Sequence, residues 1–228
     1  MGAFTFLEGF FSKFQIFDWI ALVFFLAGLI GYRYFLSSML RNRPDRLYLG
    51  KLQQYRKAWI DTHSGDQNSI VVVQTLRNTI MSASFLASTA VILIMGAVNL
   101  LFTLESSGKP QKTFYLTAAA APEVMIFKVL MLIVVLSYSF FNFTWYIRES
   151  NYMGFILNIP KATLDEIEGG DSTPHIERMF LTSGIYFSLG MRGYYFLIPL
   201  LMWLFSPLLM ILASLVIFFI LLRRDLAG

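Results

Sequence analysis

Four long apolar runs constrain this chain more than any other feature: residues 16–36, 79–103, 124–147 and 193–222. About 20 helical residues, at 1.5 Å each, cross a hydrocarbon core roughly 30 Å thick. Lipid offers no partner to backbone N–H and C=O groups, so a spanning segment must satisfy them internally, as a helix does. The expected fold is therefore all-α and polytopic. Four transmembrane helices form a single membrane domain over residues 1–228, with amphipathic cytoplasmic helices in connections 37–78 and 148–192. Charge agrees: only 14% of residues are charged, where a soluble domain carries about a quarter.

The first run opens at Asp18-Trp19 and closes at Tyr32-Arg33-Tyr34, aromatic residues standing where an interfacial belt would place them. Arg33, Arg41 and Arg43 follow in place of a small-residue cleavage site, so the run reads as retained rather than as a signal peptide. The fourth run has 30 residues, about 45 Å as a helix, and must tilt or bend. Pro199 and Pro207 supply bends. A cut at Ser206-Pro207 would give five spans, but would bury Arg192 at a cost of at least ~2.5 kcal/mol and leave a short stub. Four spans is the expectation.

Orientation follows the basic residues. Arg33 and the two long connections carry twelve, against five on the other side (Lys13, Lys109, Lys112, Arg223 and Arg224). Both termini are expected outside the cytoplasm, in a bacterial inner membrane.

Several shorter patterns fill in the connections. Phe4, Leu7, Phe11, Phe14 and Phe17 read as an interfacial helix before the first span. Tyr48, Leu52, Tyr55 and Trp59 recur at helical spacing. Nothing breaks the helical pattern from Gln67 until beyond Thr103, which predicts one long helix. The acidic stretch from Asp165 to Asp171 reads as a mobile loop, and Thr173-Pro174 as a cap and first helical position. Residues 179–190 are amphipathic, and Gly190 and Gly193 read as a flexible entry to the last span.

Chemistry-bearing motifs are sparse. There are no cysteines, and neither His63 nor His175 has a second histidine three or four positions away on a helix, the spacing of a helical metal site. No phosphate-binding glycine loop and no nucleophile elbow occurs. No catalytic, cofactor or metal residue is therefore assigned. An enzyme would require Arg148, Glu149, His175, Glu177 and Arg192 to converge at the cytoplasmic face; Arg148, Glu149 and Arg192 form the candidate cluster. Basic residues flank the spans rather than forming a stripe, which speaks against nucleic acid as a partner.

Residues at membrane depth carry more. Ala27 and Gly31 share a face of the first span, and Ser84, Ser88 and Gly96 a face of the second. Small residues at such spacing let helix backbones approach closely. Asn99 and Asn142 should hydrogen-bond to neighbouring helices, and Lys128 should pair loosely with Glu123 or snorkel to the interface. The span interiors otherwise lack carboxylates and histidines, which argues against a proton-coupled pump. The functional expectation is a self-assembling or accessory membrane subunit, whose partners are the bilayer and either copies of itself or another membrane protein. The alternative is an oligomeric channel or small transporter lined by Ser82, Ser84, Ser88, Asn99, Asn142 and Lys128.

Asp18-Trp19-Ile20-Ala21, Ser84-Phe85-Leu86-Ala87-Ser88-Thr89, Tyr138-Ser139-Phe140-Phe141-Asn142-Phe143-Thr144-Trp145, Asn151-Tyr152 and Arg192-Gly193-Tyr194-Tyr195-Phe196 occur in that order. In these strings the chain resembles the bacterial membrane proteins catalogued as domain of unknown function 599, from about Asp18 to Arg224. The resemblance implies a four-span architecture and no particular activity. The acidic stretch between Asp165 and Asp171 departs from it, being longer and more charged.

Overall fold

A computed structural model describes residues 14–42, 47–63, 70–107 and 121–226. These form seven helices and, among the described residues, no strand: α1 (Ile16–Asn42), α2 (Tyr48–His63), α3 (Ile70–Ser107), α4 (Pro122–Ile156), α5 (Lys161–Glu168), α6 (Thr173–Phe205) and α7 (Pro207–Leu226). Five of them, α1, α3, α4, α6 and α7, are long and apolar enough to cross a membrane. The protein is thus an all-helical polytopic membrane protein.

Three helices outreach a bilayer. With 38, 35 and 33 residues, α3, α4 and α6 are about 50–57 Å long, so their ends are free to pack beyond the apolar layer. The unbroken pattern after Gln67 is realised as α3. Central α4 lies between α3 and α6, while α7 packs on α6 and α1. The main core joins Phe25, Leu132, Leu200, Trp203 and Met210. A second core gathers Ile60, Leu76, Met153, Leu164 and Ile176 at the end bearing α2 and α5. There Trp59 of α2 stacks on Phe180 at 5.3 Å and 12°. The amphipathic α2 exists as expected, but Tyr48 and Tyr55 point outward, while Ile60 is buried.

The fourth apolar run is corrected. It is not one bent helix: α6 ends at Phe205 and α7 begins at Pro207. Proline disfavours helical backbone in the residue before it, and Ser206 is extended (φ −161°, ψ 141°). The same serine then starts α7: its hydroxyl accepts from Leu208 N at 3.3 Å and its carbonyl from Met210 N at 3.2 Å. Pro207 at the first position needs no donor. Pro199, by contrast, stays inside α6. The chain folds back, so that Asp225 near the end of α7 meets Arg192 of α6 at 3.4 Å. Arg192 and the C-terminal end of α7 therefore share one end of the bundle, contrary to the expectation that they lie on opposite sides.

The acidic stretch is also not a loose loop. Its first half is the end of α5, closed by Gly169 at φ 70°, with Gly170 N bonded to Asp165 O at 2.9 Å. A left-handed residue after a helix favours glycine, which lacks the Cβ penalty. Asp165 accepts from Ser172 N and Oγ at 2.8 and 2.7 Å, and Asp171 from Thr173 Oγ1 at 2.8 Å. Lys161 bridges both carboxylates. Ser172, rather than Thr173, precedes the first turn of α6. Gly190 and Gly193 do not form a flexible entry either. They lie within α6, where a Cβ would collide with Phe143 and Ser139 of α4 respectively.

Candidate functional site

Two polar groups tie the apolar bundle together. At one end, Asp18 of α1 and Lys128 of α4 pair at 2.9 Å, each residue 3% exposed. The Trp203 indole donates to the same Asp18 oxygen at 2.8 Å, and Lys128 Nζ donates to the Trp203 carbonyl at 3.1 Å. Lys128 also lies over the Trp203 ring, 5.1 Å from its centroid. Three helices thus meet at one satisfied ion pair. At the other end, Tyr32 of α1 donates to Asp225 of α7, which also accepts from Arg192 of α6. Arg192 stacks on the Tyr32 ring at 5.4 Å, and Arg224 donates to Tyr195 Oη at 2.9 Å.

The first group corrects two expectations. Lys128 neither snorkels nor lines an open path, because Asp18 neutralises it inside the bundle. A carboxylate is therefore buried inside the apolar bundle. The sequence signal was present: Asp18 and Lys128 are opposite charges just inside two apolar runs. Asp225 had a weaker signal, following Arg223-Arg224 beyond the run's end.

The other candidates disperse. Asn142 is buried, but its amide donates to Tyr138 O of its own helix at 2.8 Å, one turn back, rather than to a neighbour. Ala27 and Gly31 are exposed, and nothing lies within 4 Å of a Cβ built on Gly31. The close approach in α1 falls at Gly28, where a Cβ would collide with Phe218 of α7. Ser84, Ser88, Gly96 and Asn99 are all exposed on α3. Its packed small face is Ala83, Ala87 and Ala90; Ala83 and Ala87 stand one residue before Ser84 and Ser88 and are therefore rotated about 100° from them. Ser82 and Ser84 donate back to Asn78 O and Ile80 O of the same helix.

Arg148, Glu149 and Arg192 do not converge. Arg148 is exposed and stacks on Tyr152 at 5.5 Å. It stands about 14 Å along α4 from Ser139, the residue that packs on Gly193 beside Arg192. His175 lies 3.8 Å from Glu168, and Glu177 pairs with Lys57 at 3.2 Å. Among the described residues, no group of three or more His, Cys, Asp or Glu is arranged to hold a metal. His63's side chain and Phe4, Leu7 and Phe11 lie outside the described residues. Phe14 packs edge-on against Phe127 at 5.4 Å.

Apolar residues of α1 and α7 are also exposed, but the most open face belongs to α3. Only 11% of its most apolar window is buried, against 39% for α4. Met81, Phe85, Ser88, Ile92, Met95, Asn99 and Phe102 are all exposed along it, Phe85 at 74% and Met95 at 66%. Their spacing alternates four and three without a break. A 4-3 repeat on one helix face is the seam through which left-handed helix pairs interlock.

The chain belongs to the family described as protein of unknown function DUF599, whose model matches residues 20–228. No curated protein and no solved structure matches it.

Proposed function

We propose that this protein is a self-associating membrane subunit, with the open seam of α3 as its contact with a second copy. The observation that carries this reading is the unbroken 4-3 stripe from Met81 to Phe102, with Ser88 and Asn99 set among large apolar residues. An apolar face alone is content against lipid. An amide in that face is not, and it gains a partner when the same amide of a facing helix meets it. Exposed Gly96 and Ser84 flank the stripe and let a second backbone come close. Sedimentation equilibrium in neutral detergent tests the claim: a dimer or higher oligomer is expected, weakened by Asn99→Leu. Monomeric protein over the whole accessible concentration range would contradict it.

A channel would be a product of that assembly. Ser84, Ser88, Gly96 and Asn99 face out of the protomer, whereas Lys128 and Asn142 are buried and internally bonded. Any pore lined by the first four therefore forms between copies.

The fold-back at Ser206-Pro207 supports five crossings rather than four. The cost assigned to Arg192 is offset by Asp225 and the Tyr32 ring, and α7 reaches 20 residues because it continues through Arg223 and Arg224. Arg223 and Arg224 then join the side of the long connections. The balance of basic residues changes from twelve against five to fourteen against three. In this topology the long connections and the C-terminus are cytoplasmic and the N-terminus is outside.

A further inference from the structure

A cavity of about 530 Å³ opens between α1, α2, α4 and α6. Its wall changes character along its length. One end is formed by Phe25 and Phe196, within the main apolar core. The other end, toward α2, presents Arg33 and Arg56, with Arg192 between the two ends. From Phe196 back to Gly184, which also lines it, the cavity extends about 18 Å along α6.

Charge in this cavity is unbalanced. Three guanidiniums line it and no acidic side chain does. Arg192 is held by Asp225 from α7. Arg33 and Arg56 have no carboxylate within ion-pair distance among the described residues. Arg56 is half-buried, reaching across to Gly184, where a Cβ would overlap its guanidinium, and standing 5.9 Å over the Phe180 ring. Burial lowers its pKa from the ordinary arginine value, the direction expected of a cation without a counter-charge.

We propose that this cavity binds an anionic phospholipid of the surrounding bilayer, its phosphate held by Arg33, Arg56 and Arg192 and one acyl chain lying along Phe25 and Phe196. Guanidinium forks match phosphate oxygens in pairs, and basic pockets between helices on the cytoplasmic side take anionic headgroups. The polarity gradient selects an amphiphile over a free anion, because half the wall offers a phosphate nothing. It also gives α2 a task, since this helix supplies Arg56 and closes the polar end. Gly184 is then required for Arg56 to reach the headgroup.

The test uses the full chain in maltoside micelles, with native mass spectrometry and thermal melts. Phosphatidylglycerol and phosphatidylcholine of identical acyl chains are the probes, and inorganic phosphate is a third arm. Phosphatidylglycerol is expected to remain bound and raise the melting temperature, while phosphatidylcholine and inorganic phosphate do neither. The double variant Arg33→Gln, Arg56→Gln should melt with the parent in lipid-free micelles and bind phosphatidylglycerol at least about tenfold more weakly. Gly184→Val should weaken it with every arginine retained, and Arg148→Gln, outside the cavity, should change nothing. Equal retention of the two lipids, binding of inorganic phosphate as tight as that of the lipid, or unchanged affinity in the double variant would each overturn the proposal.

Discussion

Asp18 of α1 and Lys128 of α4 form an ion pair at 2.9 Å inside the bundle, with side chains 4% exposed on both sides. A buried pair contributes little over a well-packed apolar pair, yet removing one partner leaves an isolated charge and costs about 3–5 kcal/mol. Lys128→Met alone should therefore strongly lower the melting temperature in detergent. Asp18→Leu with Lys128→Met should recover most of the loss, short of the hydrogen bond from the Trp203 indole. If the double variant is as unstable as the single one, the pair does more than satisfy itself.

Helix packing in α1 gives a second expectation. A side chain at Gly28 meets the Phe218 ring, whereas one at Gly31 meets open space. Gly28→Val should destabilise by about 1–3 kcal/mol through overpacking, and Gly31→Val by less than about 0.5 kcal/mol. Paired thermal melts in one detergent separate the two. Equal losses would mean that α1 packs on α7 in another register.

These examples mark what the sequence carried. Apolar length and spacing sufficed for the helical class, for α3 as a single long helix and for α2, because each depends on a pattern repeated over many residues. Rotation about a helix axis did not follow. Ser84 and Ala83 are neighbours in sequence but face about 100° apart, and only the position of α4 decides which is packed. The fold-back at Pro207 depended on Ser206 acting as the end of one helix and the start of the next. Arg192 looked too costly to bury because its partner, Asp225, lies 33 residues away.

The connector between α5 and α6 should respond to acid. Hydrogen bonds from Lys161 and Thr173 pull the Asp171 pKa from 3.8 down to about 2, and those from Ser172 and Lys161 lower that of Asp165. A carboxylate with a depressed folded-state pKa contributes stability above its unfolded pKa and loses it as pH falls through the folded value. Amide exchange at Gly170, Ser172 and Thr173, corrected for intrinsic rates, should be constant from pH 5 to 8 and accelerate between about pH 4 and 2. An unchanged corrected rate across that window would remove the carboxylates from the connector's stability.

Topology is open to a direct experiment because the chain has no cysteine. Single cysteines at Glu166, in the second connection, and at Leu226, at the end of α7, are both exposed. A membrane-impermeant maleimide should label neither in intact cells and both after permeabilisation. Labelling of the Leu226→Cys variant alone from outside would restore four crossings.

Self-association through α3 is tested most directly by a cysteine scan of residues 80–103 in native membranes, with copper phenanthroline oxidation. Disulfide dimers should peak at positions 81, 85, 88, 92, 95, 99 and 102 and vanish at the buried positions 83, 87 and 90. A flat profile, or a maximum on any other face of α3, would contradict the proposed contact.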